Sequence, residues 1–221
     1  MRETTPHSTD VVIIGAGPAG LFAAFQLGLF GFKSTIVDAR HSAGGQCAEY
    51  YADKPIYDVP AWPAITAQEL IDRLLEQVAP FAPSTIFGAV ATKLEPYSEQ
   101  HILVELDRAA PLSASAVIIA AGWGLIGSSE EPPIVGWDIG FQPEGVPVDP
   151  STLETSRYGI FAIGDICLYP GKLRLILSGF HEAALATQAI RKRINSTARA
   201  KVQYTSVSTE LQQKLGVSKS G

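Results

Sequence analysis

The run VVIIGAGPAG, residues 11–20, constrains what this chain folds into more than any other feature. Val11–Ile14 is a continuous β-branched stretch, the pattern of a strand covered on both faces of a parallel sheet. Gly15, Gly17 and Gly20 follow at once on a G-x-G-x-x-G spacing, with Pro18 and Ala19 inside it. An apolar helical stretch, LFAAFQLGLFGF, comes next, then a second strand, KSTIVDAR, which ends in Asp38 and Ala39. Each glycine has a mechanical task. Gly15 makes the tight turn, Gly17 lets backbone approach a pyrophosphate, and Gly20 lets the helix pack close to the strand. The pyrophosphate would rest on the helix N-terminus, where free N–H groups and the dipole favour negative charge. Asp38 lies far enough downstream to accept from a ribose hydroxyl. The pattern predicts a β-α-β dinucleotide site, without separating FAD from NAD.

Composition sets the outer bounds. Hydrophobic residues are 46% of 221 and charged residues 18%, so burial can outweigh chain entropy. A formal charge of −5 and a pI of about 5.4 argue against nucleic acid as a partner. The two cysteines, Cys47 and Cys167, are too few and too far apart for a zinc module, a CxxC pair or a disulfide framework, and no metal is expected. No apolar run approaches the roughly 18 residues that cross a bilayer, and MRETTPHSTD lacks the apolar centre of a signal peptide. The expectation is a soluble, cytoplasmic protein with no membrane partner.

A second glycine spacing, Gly122, Gly124 and Gly127 in GWGLIG, also follows a strand-like run, ASAVIIAA. Pro132 and Pro133 in the following SSEEPPIVGW forbid the helix such a site needs, so this reads as a buried strand end followed by a connection. Between the two glycine segments, GGQCAEYYADKPIYDVPAWPAI reads as a long irregular loop rich in aromatics and proline. Thr66 and Glu69 then form a capping box that opens a helix through ELIDRLLEQVAPF. The runs TIFGAVATKL, HILVEL and AVIIAA read as a small antiparallel layer, and RYGIFAIGD as a buried strand ending at Gly164 and Asp165. A last helix spans roughly Leu175 to Ile194, with small residues along one face, and a polar tail containing KVQYTSV follows.

Taken together, GAGPAG, GGQ, YYADKPIYDVP, VDPSTLETSRYGIFAIGD and YPGKLRLILSGFHEAALA give the chain a family likeness. It resembles the thioredoxin-reductase-like ferredoxin–NAD(P)⁺ reductases, which are two-dinucleotide-domain flavoproteins. The resemblance implies an α/β fold: a Rossmann-type FAD-binding domain with a parallel sheet, helices and a small antiparallel β layer. It also implies non-covalent FAD. Gly15, Gly17, Pro18, Ala19 and Gly20 match the pyrophosphate loop, and Asp38 with Ala39 the adenosine-ribose end. Gly45, Gln46 and Tyr51 match residues along the flavin, Tyr51 by stacking on the ring, and Val90 lies where backbone reads adenine. Ala121 and Gly122 fall beside the cofactor. Gly164 and Asp165 match the turn whose acid bonds the ribityl chain, and Lys172 and Leu173 lead the helix facing the pyrimidine end of the ring. Tyr204 matches the C-terminal aromatic that covers the partner subunit's flavin.

The family carries a nicotinamide-binding domain between two halves of its FAD domain, and here a short connection stands in its place. The expected organisation is therefore 1–125 and 149–196 as the two parts of one FAD-binding domain, 126–148 as the connection, and 197–221 as a C-terminal tail. The expected activity is a flavin-dependent oxidoreductase without direct NADPH binding, receiving electrons from a ferredoxin-like protein or a small molecule. A redox-silent FAD-binding subunit, or the FAD half of a reductase with a separate nicotinamide-binding partner, are the other readings. Removing a domain uncovers apolar surface, so a homodimer is expected. No catalytic acid–base pair stands out. Cys47 and Cys167 read as small fillers rather than a flavin-coupled disulfide, and His181 as an ordinary helix residue. Tyr50 and Tyr57 read as packing or dimer residues rather than catalysts. Arg191, Lys192 and Arg193 read as a run favoured by the helix dipole, with docking of an acidic redox protein as the sharper alternative.

Overall fold

The computed structural model describes residues 5–98, 100–123, 132–194, 212–213 and 216; Gly124, Gly127 and Tyr204 lie outside them. In chain order the elements are β1 (His7–Ile14), α1 (Pro18–Leu29), β2 (Ser34–Asp38), α2 (Gly45–Tyr51), β3 (Pro55–Ile56), β4 (Ile65–Thr66) and α3 (Ala67–Val78). Then come β5 (Ser84–Phe87), β6 (Ala91–Pro96), β7 (Ile102–Leu106), β8 (Leu112–Ile119), β9 (Val146–Pro147), β10 (Ile160–Ala162), β11 (Cys167–Leu168) and α4 (Ile176–Ile194).

One sheet organises the molecule, in the order β5-β2-β1-β8-β7-β6, with β10 also paired to β8. Strand β1 lies parallel to β2 on one side and to β8 on the other, from His7 against Leu112 to Ile14 against Ile119. Burial on both faces explains the unbroken β-branched runs: Val11, Val12, Ile13, Val117, Ile118 and Ile119 have no exposed surface. Strand β8 divides its free edge. Leu112–Ala114 pair antiparallel with β7, while Val117–Ile119 pair parallel with β10. The residues after 149 thus enter the same sheet as the first strand.

Helix α1 packs between α3 and α4. Its Phe22 ring lies 4.8 Å from Phe180 of α4, and Phe25 lies edge-on to Phe81 at 5.7 Å. The capping box forms as the sequence requires: the Thr66 hydroxyl accepts from the Glu69 N–H at 3.2 Å, and the Glu69 carboxylate accepts from the Thr66 N–H at 2.9 Å. Helix α3 then buries Leu70, Ile71, Leu74 and Val78 and leaves its charged face in solvent.

Two expectations need correction, and a third gains detail. The small antiparallel layer is present as β6, β7 and the first residues of β8, continuous with the main sheet. The run at Ser84–Phe87 instead pairs parallel with β2, and AVII forms part of β8, parallel to β1. The aromatic loop also contains a short helix, α2, entered through Gly44 at φ 127°, and the small β3–β4 ladder. Finally, the described part of the connection packs into the core. A 3₁₀ turn at Pro133–Trp137 buries Ile134 and Trp137, and the Trp137 indole donates to the Thr92 carbonyl at 3.1 Å. Arg157 binds this turn to the sheet, donating to the carbonyls of Leu94 at 2.9 Å and Trp137 at 2.6 Å.

Because Trp137 is 1% exposed, Trp137→Ala removes a large buried ring and orphans the Thr92 carbonyl. It is expected to cost about 3–5 kcal/mol of unfolding free energy, measured by urea or guanidinium titration.

Candidate functional site

The carboxyl ends of β1, β2, β8 and β10 lead into Gly15, Asp38, Ala120 and Gly164, and these converge on one cleft, as in other open parallel sheets. Its volume is about 160 Å³, and a second cavity of about 40 Å³ adjoins it through Gly15, Asp38, Arg40 and Ala121. The result is an elongated groove.

The groove exists because glycine removes β-carbons from its walls. Gly15 sits at φ 113°, and a β-carbon there would collide with the Ala120 carbonyl. A β-carbon on Gly20 would collide with the Gly15 carbonyl, so the first turn of α1 lies directly on the loop. Gly17, the cap residue of α1, is extended and offers no side chain to the first N–H groups of the helix. That leaves a dipole end and free donors for an anion.

Asp38 is 6% exposed and braces the loop from below. Its Oδ2 accepts from the Ala16 N–H at 2.7 Å, and its Oδ1 accepts from the Arg40 N–H at 2.8 Å. Arg40 turns its guanidinium to Glu49, with nitrogen–oxygen distances of 2.6 and 2.5 Å. Across the cleft, Asp165 stands in a 3₁₀ turn, Gly164–Ile166, and among the described residues its carboxylate accepts no hydrogen bond. On the α2 wall the Tyr51 hydroxyl lies 3.0 Å from the Cys47 sulfur. Burial chiefly pushes both groups above their ordinary pKa, with the charge of Asp165 adding a smaller push.

The structure brings most of the sequence-derived candidates into this groove. Gly15, Gly17, Pro18, Ala19 and Asp38 line the large cavity on the side of α1 and β2. Gly45, Gln46 and Tyr51 line it from α2, Ala121 and Gly122 from the end of β8, and Gly164 and Asp165 from the end of β10. Ala39 and Val90 line the smaller cavity. Gly20 is buried in the packing of α1. Lys172 and Leu173 do not line either cavity. The wall is made instead by Arg174, Leu175, Ile176 and Gly179. Leu173 is 61% exposed, and the Lys172 ammonium reaches Glu182 at 2.5 Å, with side chains only 4% and 1% exposed.

Arg40 and Arg174 line the cleft without any signal in the sequence, and Glu182, outside the lining, is the buried partner of Lys172. Arg174 stacks over Trp123 at 5.2 Å and donates to the Glu144 carbonyl at 2.9 Å. Glu182 has no exposed surface, and nothing in its neighbours HEAA marks it as buried. His181 lies on the exposed side of α4, and Tyr50 and Tyr57 are 65% and 70% exposed. Arg191 lies over the Phe30 ring at 4.8 Å, while Arg193 covers Tyr158 at 3.7 Å and donates to the Ser115 carbonyl at 3.0 Å. The basic run is therefore largely folded against the protein. Cys47 and Cys167 are both free and buried.

Comparison with known proteins supplies the context. The family profile described as an NAD(P)-binding Rossmann-like domain matches residues 13–77. A ferredoxin–NADP reductase of Mesorhizobium japonicum is 32% identical, covering 95% of this chain and 98% of its own length. Its alignment runs over 337 positions, so well over a hundred of them face no residue of a 221-residue chain. A ferredoxin–NADP reductase of Paraburkholderia phymatum is 38% identical over 193 residues, 86% of this chain and 51% of that protein. Among solved structures, the thioredoxin reductase of Streptococcus pyogenes superposes with a TM-score of 0.73 at 16% identity, covering 87% of this chain and all of that one. The ferredoxin-flavin thioredoxin reductase of Clostridium acetobutylicum superposes at 0.69 with 12% identity, covering 86% and 98%. At those identities the structures establish the fold.

The two thiols give a measurable consequence. Burial lifts Cys167 to about 12, helped by the charge of Glu182, and lifts Cys47 as well. A raised thiol pKa favours the protonated form in the folded state, so the folded protein holds little thiolate at pH 8. Alkylation by iodoacetamide is expected to be slow for both until the chain is unfolded. Stability contributed by the protonated Cys167 is complete below the ordinary thiol range and declines above about pH 9, where only the unfolded thiol ionises. Urea melts at pH 8 and pH 10.5 compare the two regimes.

Proposed function

The chain belongs to the ferredoxin–NADP reductase family, and from the shape and chemistry of its groove we propose that it is a flavoprotein oxidoreductase holding FAD non-covalently. The observation that carries this reading is the joined pair of cavities, with the uncapped N-terminus of α1 and Asp38 where they meet. In this reading the α1 N-terminus and Gly17 hold the pyrophosphate, and Asp38 takes the adenosine ribose. Ala39 and Val90 flank the adenine in the smaller cavity. Asp165, with no protein partner for its carboxylate among the described residues, accepts from the ribityl hydroxyls. Gln46, Tyr51 and the segment entering α4 enclose the ring. FAD supplies the capacity to take up and release electrons; the protein binds it, orients it and limits water around it.

The unmatched positions in the alignment support a chain without the nicotinamide domain. In this organisation residues 126–148 join the two parts of the FAD-binding domain, and NADPH has no direct site. Electrons then reach the flavin from a ferredoxin-like protein or a small molecule. Exposed apolar side chains at the start of α4, Leu173, Leu175 and Leu177, support a further contact there. A second copy of the chain is the proposed occupant, giving a homodimer. This reading places the protein in the cytoplasm.

Purified protein is expected to retain FAD or to bind it on reconstitution, read by quenching of flavin fluorescence. Asp165→Ala is expected to weaken binding about tenfold or more, the loss of one or two hydrogen bonds to a charged group at about 1.5–3 kcal/mol each. A folded parent protein that binds no FAD would overturn the proposal.

A further inference from the structure

Glu182 is a buried carboxylate outside the lining of the groove, and both its oxygens accept hydrogen bonds. Its Oε2 accepts from the Gly164 N–H at 2.7 Å. Its Oε1 accepts from the Tyr169 hydroxyl at 2.8 Å and the Lys172 ammonium at 2.5 Å. Gly164 stands at φ 73° and opens the turn that carries Asp165 into the cleft. The same turn is tied from its other side, where the Cys167 thiol donates to the Gly164 carbonyl at 3.2 Å. One turn before Glu182, Gly179 presses on the first turn of α1: a β-carbon there would lie 3.2 Å from the Ala19 β-carbon. The carboxylate therefore joins α4, the Asp165 turn and the anion-facing end of α1.

Burying a charge in this way is costly unless a partner compensates it, and a hydrophobic trio would pack as well. A charged pair retained beside a ligand groove is better explained by what its field and its hydrogen bonds do there. We propose that Glu182 and Lys172 are positioning residues that fix the Gly164–Asp165 turn at the cofactor groove and balance the electrostatic field there. This rests on the reading of the groove as a flavin site. It adds that the two charges act in opposite senses. Removing Glu182 leaves a cation that favours electron-rich FAD, and removing Lys172 leaves an anion that opposes it.

The test has two arms. In the parent protein without cofactor, the Gly164 amide is expected among the slowest to exchange with deuterium, because its acceptor has no exposed surface. Exchange at the rate of an open loop would overturn the positioning role. In the second arm, FAD-loaded Glu182→Gln, Lys172→Met and the double variant are equilibrated with a redox dye. Glu182→Gln is expected to shift the ratio of reduced to oxidised FAD about tenfold upward, a rise of about 30 mV for a two-electron couple. Lys172→Met is expected to shift it about as far downward, and the double variant to return close to the parent. Shifts of the same sign, or none in folded variants, would overturn the electrostatic role. If a single variant does not fold, the sign of the other against the double variant decides. Absence of FAD binding by the parent would remove the cofactor reading, while amide exchange would still decide whether the turn is held.

Discussion

The contact between Gly20 and the carbonyl of Gly15 governs the rest of this molecule. It sets α1 on the loop that leaves β1, with no room for a β-carbon, and so points the helix N-terminus along the groove. The buried Asp38 then holds the loop by the Ala16 amide, and the buried Glu182 holds the opposing turn by the Gly164 amide. Two carboxylates, each on a backbone N–H, frame one cleft from opposite ends of the chain. The sheet makes that meeting possible, because β8 accepts both β1 and β10 along its length.

Much of this was legible because its signals are local. The β-branched run before Gly15, the glycine spacing and the Thr66–Glu69 box each specify an element within a few residues, and β1, α1, β2 and α3 formed accordingly. Strand partners are a different matter. The runs at Ser84–Phe87 and Leu112–Ile119 were recognisable as strands, but their pairing depends on residues tens of positions away, so β5 joined β2 in parallel while the antiparallel layer kept only β6, β7 and the start of β8. Helix α2 was hidden by two glycines at its start and by its seven-residue length, too short for a periodic signal.

The site was legible to the same degree. Backbone-defined positions such as Gly15, Gly17 and Gly164 fell in the groove because their motifs encode turns. The approach to α4 was displaced by two residues, from Lys172 and Leu173 to Arg174 and Leu175, since nothing in KLRLIL fixes which side chain faces inward. Glu182 was invisible for a plain reason. A buried carboxylate looks like a surface one until the donors from Gly164, Tyr169 and Lys172 are brought around it.

Within its family, this chain retains the groove while aligning to relatives over a length it cannot fill. The proposed protein is a flavin half that works without its own nicotinamide site. Anaerobic titration of the FAD-loaded protein with NADPH, followed at the visible flavin band, tests it most directly. No bleaching by NADPH and complete bleaching by dithionite are expected. Rapid bleaching by stoichiometric NADPH would contradict this proposal.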